Sequence, residues 1–94
     1  MKAKEIEGKE VIGKQAQLIG KVFEIEVDTN TWKVTHIYVD MDKNIVESLG
    51  LKKPKIGVVK ATIPIEMIDV ASDRILLKNE SLDDLKKAIK PLQS

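Results

Sequence analysis

Residues 22–39 read VFEIEVDTNTWKVTHIYV, and the two halves follow different rules. The first half alternates, with Phe23, Ile25 and Val27 on one side and Glu24, Glu26 and Asp28 on the other. Past the polar stretch the alternation fails. Trp32, Val34 and Tyr38 fall on one face, while Ile37, Val39 and Met41 fall on the opposite one. Period-two alternation marks a strand with one wet face, whereas apolar side chains on both faces call for cover on both sides. The pattern predicts a hairpin of strands 18–27 and 32–41, joined by the turn residues Asp28-Thr29-Asn30-Thr31. A register with Val27 opposite Trp32 places Ile25 opposite Val34, Phe23 opposite His36 and Val22 opposite Ile37. It also sets Glu26 against Lys33, an opposite-charge pair that favours this alignment.

Around this hairpin the chain is mostly strand. Residues 3–12 (AKEIEGKEVI) predict a strand bent at Gly8, and 13–17 a connection. Within KNIVESLGL, Ile45, Val46 and Leu49 take helical spacing, and Gly50 stands where a short helix near 44–50 would end. The stretch KKPK over 52–55 is a loop. Strand signals return over 58–63, and Pro64 closes that strand because it has no N–H to give to a ladder. Two further strands, 65–70 and 74–78, flank the turn Ala71-Ser72-Asp73. A helix over about 82–90 is signalled by Ser81 as N-cap, by Asp83 and Asp84 in the first turn and by Pro91 as the stop. Its apolar stripe of Leu82, Leu85 and Ile89 is narrow and must dock. Five or six short strands and a late helix predict a mainly β domain, a small and strongly bent antiparallel barrel.

Composition sharpens this picture. Ninety-four residues make one domain, residues 1–94, with room for a single small core that association with another chain would supplement. Cysteine is absent, which excludes disulfides and thiolate metal sites. Apolar runs are far shorter than the ~20 residues needed to cross a bilayer, and MKAKEIEGKE is charged where a leader would be apolar. The expectation is a cytoplasmic chain without membrane insertion. Sixteen basic residues, fifteen of them lysine, are interspersed with fifteen acidic ones, unlike the one-sided basic face of a nucleic-acid domain.

The fragments resemble, in order and spacing, the PRC-barrel domain family. They run Gly8-Lys9-Glu10-Val11, Leu18-Ile19-Gly20-Lys21-Val22, the acidic turn Val27-Asp28-Thr29-Asn30-Thr31, and Val34 through Val39. The later stretch Ile63-Pro64-Ile65-Glu66-Met67-Ile68 and the strand Asp73-Arg74-Ile75-Leu76-Leu77 complete the match, which covers about residues 3–78. One departure is the hairpin turn, which lacks the glycine often found there. The resemblance implies a small β-barrel without a catalytic centre or cofactor, of the short stand-alone type found especially in archaea. Some such relatives are implicated in cell division as adaptors, and they commonly self-associate. Others form part of ribosome-maturation proteins.

Candidate residues fall into two groups. Trp32, Val34, His36 and Tyr38 form an aromatic-rich strand face of the kind interfaces use as anchors. A second copy of the chain in a two-fold homodimer, or the chain's own helices, would cover it. Lys52, Lys53 and Lys55 around Pro54, together with Lys60, are the candidate basic contact to RNA or a ribosome. One Trp, one Tyr and one Phe are few for a base-stacking platform. His36, the single histidine, has no partner motif for catalysis or metal binding. Asp40 and Asp42 open like a calcium loop, but the glycine and glutamate that would complete one do not follow. The function expected is therefore non-enzymatic: an adaptor that self-associates and binds a cytoplasmic protein, with an RNA- or ribosome-associated factor as the alternative.

Overall fold

The computed structural model describes residues 2–54 and 57–92. Among these residues, seven strands form one curled sheet, a half-barrel, accompanied by three short helices. The strands are β1 (Glu10–Ile12), β2 (Leu18–Asp28), β3 (Lys33–Met41), β4 (Lys60–Pro64), β5 (Ile68–Ala71), β6 (Ile75–Leu77) and β7 (Lys90–Pro91). The helices are α1 (Ala3–Ile6), α2 (Lys43–Leu49) and α3 (Leu82–Ala88). The order across the sheet is β5-β6-β1-β2-β3-β4-β7. Neighbours are antiparallel except β1 and β6, which run parallel because the chain leaves β4 and returns on the far side of the sheet. No described helix is long and apolar enough to cross a membrane.

The β2–β3 hairpin carries the fold, and two bulges explain why its pattern broke. Observed partners are Val27 with Val34, Glu26 with His36, Ile25 with Ile37, Glu24 with Tyr38 and Val22 with Val39. The pairing is thus displaced from the expected one, with Phe23 and Thr35 as the extra residues. An extra residue resets which face the following side chains take. Val22 and Ile25 therefore both point into the core beside Val39 and Ile37, although they stand three apart. In the same way Val34, opposite Val27, falls on the side of Ile37 rather than with Tyr38. The second strand is not apolar on both faces. Its apparent double pattern is one apolar face interrupted by Thr35.

Core residues Ile19, Val22, Ile37, Val39, Ala61 and Ile63 line the inner side of the sheet. Ile45, Val46 and Leu49 of α2 and Leu85 at the centre of α3 fill it from above, with Ile89 just beyond α3. Both helices begin at the caps their sequences indicate, and α2 also ends where its glycine stands. Asp42 caps α2 by accepting the Asn44 N–H, and Gly50 closes it at φ +67°. Ser81 caps α3 by accepting the Asp84 N–H at 3.1 Å. The last helix is shorter than expected, since Lys90-Pro91 pair with β4 as a strand. Of its stripe, Leu85 and Ile89 are buried while Leu82 is 38% exposed.

The N-terminal segment also differs. Residues 3–6 make one helical turn instead of a strand, because Ile6 is the only large apolar side chain there and Gly8 (φ +85°) redirects the chain. The stretch expected as a strand over 65–70 opens with a single 3-10 turn, Ile65–Met67, immediately after Pro64.

Two positions fasten this arrangement. At Gly20 a Cβ would lie 2.2 Å from the Asp40 carbonyl oxygen, so β2 and β3 approach as closely as they do only with glycine there. Asn79 is fully buried. Its Oδ1 accepts the Lys14 N–H at 3.0 Å, and its Nδ2 donates to Gln15 Oε1 and the Ser81 carbonyl. It ties the β1–β2 connection to the start of α3.

Candidate interaction surface

The tip of the hairpin is built by Asp28. Its carboxylate accepts the Asn30 N–H at 2.8 Å, and its carbonyl accepts the Trp32 N–H at 2.6 Å. This closes a loop of four residues, 29–32, whose last member must turn left-handed. The missing glycine is replaced by Trp32 itself, at φ +58°. A left-handed backbone costs an L-residue about 1–2 kcal/mol, and for a bulky side chain it is a marked outlier. Most of the indole stays in water, Trp32 being 78% exposed. It lies in the turn and not on the strand, so Trp32 is separated from the other three expected interface residues.

Those three divide between the faces. Val34 is half-buried and lies on the side of Val27 and Ile37. His36 and Tyr38 stand on the outer face, beside Glu26 and Glu24 respectively. His36 Nδ1 lies 3.0 Å from Thr35 Oγ1 and 3.4 Å from the Glu26 carboxylate. Tyr38 packs on Phe23, with ring centroids 5.8 Å apart and planes tilted by 47°. Partial burial, and then the carboxylates of Glu26 and Glu24, push the Tyr38 phenol above its ordinary pKa. Lys60 Nζ sits 4.2 Å from the centre of the Phe23 ring and 2.7 Å from Asp40.

Beside this aromatic pair runs a ladder of alternating charge. Register places Glu10 opposite Lys21, Lys21 opposite Asp40 and Asp40 opposite Lys60. Arg74 extends it, 3.5 Å from Glu10. Four side chains of alternating sign on four adjacent strands, with Arg74 from the turn before β6 as a fifth, thus cross the outer face.

Two lysines of the expected basic contact are engaged by neighbours. Lys53 is bonded to Glu47 on α2 and holds that carboxyl below its ordinary pKa, while Lys60 is engaged by Asp40 and Phe23. Lys52 is exposed, and Lys55 lies outside the described residues. Asp40 and Asp42, the two carboxylates reminiscent of a calcium loop, pair with Lys60 and cap α2.

Sequence reasoning missed Phe23 as the partner of Tyr38, Lys60 above it, and the buried Asn79. The first two meet over the bulge of the β2–β3 ladder, which local patterning does not register. Asn79 had a faint signal, as a polar residue just before a capped helix. No family model matches the chain, and a search of curated proteins finds no match.

Proposed function

We propose that this chain is a non-enzymatic binding domain of the PRC-barrel kind, one that self-associates and engages another polypeptide through its β2–β3 hairpin. The observation that carries this reading is Trp32. A large apolar side chain stands out in water on a backbone conformation that disfavours it, at a tip closed by two bonds to Asp28. A strained backbone beneath a mostly exposed side chain is what a presented anchor looks like, and tryptophan is among the commonest anchors of interfaces. The Phe23–Tyr38 pair and the charge ladder form a firm, mixed surface behind the tip. Lateral pairing of the charges orients an incoming partner and penalises mismatched ones.

The test replaces Trp32 and Tyr38 with serine and compares the double variant with the wild type as immobilised bait. Circular dichroism should be unchanged, and capture of the partner should be lost. Capture that survives moderate salt fits apolar anchoring, whereas binding that collapses steeply with salt and disappears after nuclease identifies a phosphate-backbone contact instead. Equal capture by both baits refutes the hairpin as the binding element.

A further inference from the structure

The two edges of the sheet are unlike. The β4–β7 edge carries Lys60, Pro64, Lys90 and Pro91, the residue types that block edge-to-edge pairing. The β5 edge carries Ile68-Asp69-Val70-Ala71, with neither lysine nor proline, and among the described residues nothing pairs with its outer side. A row of apolar side chains leads up to it along the outer face. Val70 is opposite Leu76, Leu76 opposite Ile12, and Ile12 opposite Leu18. Val70, Leu76 and Leu18 are 44%, 39% and 37% exposed, and Ile12 is half-buried between them. The row spans four strands, ~14 Å at normal strand spacing. It lies next to the charged ladder, but no charge interrupts it.

We infer that β5 is the self-association edge: a second copy of this chain adds its own β5 antiparallel to the first, about a two-fold axis at Val70. This rests on the self-associating part of the reading above and leaves the Trp32 tip free for a different partner. Charge selects the register. With Val70 on the axis, Asp69 faces Ala71 of the second copy and Ile68 faces Ser72. An axis at Asp69 would oppose two aspartates, and one at Ala71 would oppose Asp69 and Asp73. The chosen register joins the two apolar rows into one of eight side chains, and a two-fold interface of this self-complementary kind is the commonest route to a dimer. The alternative occupant, an extended peptide from another protein, would complete the strand but would not double the row.

The bulge at Asp69 and the shortness of β5 keep the contact small, below the ~1,200 Å² of standard interfaces, so the dimer should be weak and readily exchanging. Sedimentation equilibrium should show wild-type mass rising from one chain toward two as concentration goes from ~5 to ~500 µM. V70K and, separately, L76K should remain at one chain mass with unchanged circular dichroism. Because the chain has no cysteine, V70C gives an independent reading. Residues facing each other across an antiparallel pair lie about 4.5–5.5 Å apart at Cα, within disulfide range. Mild oxidation should therefore link V70C into dimers at least tenfold faster than W32C. If W32C links and V70C does not, the copies meet at the hairpin and the edge assignment falls while self-association stands. If V70C fails to link and the wild type stays monomeric throughout, both fall. If the wild type is monomeric but a strand-forming peptide protects the β5 amides from exchange, the occupant is a peptide and the two-fold dimer is wrong.

Discussion

Replacing Trp32 with glycine separates a presented side chain from a packed one. Only about a fifth of the indole is covered by its own chain. With ~250 Å² for a whole tryptophan and ~25 cal/mol per Å², removing that contact loses roughly 1.4 kcal/mol. Against this, glycine at φ +58° relieves about 1–2 kcal/mol of left-handed strain. It gives back about 0.5–1 kcal/mol through the greater freedom of the unfolded chain. The terms largely cancel, so W32G should lower stability by no more than ~1.5 kcal/mol, whereas truncating a buried tryptophan costs about 3–5 kcal/mol. Urea unfolding followed by far-UV circular dichroism suits the comparison, because the variant lacks the only tryptophan. With an m-value of about 1 kcal/mol/M, the midpoint should move by less than ~1.5 M. A loss of 3 kcal/mol or more would mean that the indole belongs to the core, and the argument from its strain and exposure would be wrong.

Other consequences follow from the packing and from the charges. G20A drives a Cβ into the Asp40 carbonyl and should lower stability by about 2–3 kcal/mol, a melting-temperature drop of roughly 10–20 °C in calorimetry; an unchanged melting point contradicts the close approach of β2 and β3. N79A removes three buried hydrogen bonds and should cost about 2–3 kcal/mol. The Lys14 amide should exchange slowly by NMR in the wild type and fast in the variant, and continued protection would show that Asn79 is not its partner. The Tyr38 phenol should ionise above its ordinary pKa in an ultraviolet titration, with E26Q bringing the midpoint down. Since the folded-state value is the raised one, its stabilising contribution is complete below the unfolded phenol's pKa. That contribution is lost as pH rises through the folded value. A midpoint at or below that of a free phenol contradicts the placement of Glu26 and Glu24.

Much of the fold was legible because its signals are local. Gly50 closing α2, Ser81 capping α3 and the polar turn after Asp28 all act through residues a few positions away, so sequence order reveals them. The bulges at Phe23 and Thr35 are set by how two strands fit together, and a single strand's pattern does not contain them. That is why the register was displaced and why Trp32 was read as part of a strand face. The parallel β1–β6 pairing joins residues more than sixty positions apart, and the apolar row along Val70, Leu76, Ile12 and Leu18 exists only through it. Candidate residues were legible as types, as Trp32 and Tyr38 show. Their grouping was not, because Trp32 ended on a tip, Val34 on the inner side and Tyr38 beside a phenylalanine across a bulge.

A hairpin tip that serves as a binding anchor must hold a partner that its loss releases. Wild type and W32G, matched in stability, are immobilised and exposed to nuclease-treated extract of the cells that make the protein. The anchoring role of Trp32 requires a protein retained by the wild type, resistant to moderate salt and absent from the W32G eluate. The same proteins on both supports, in equal amounts, would contradict it.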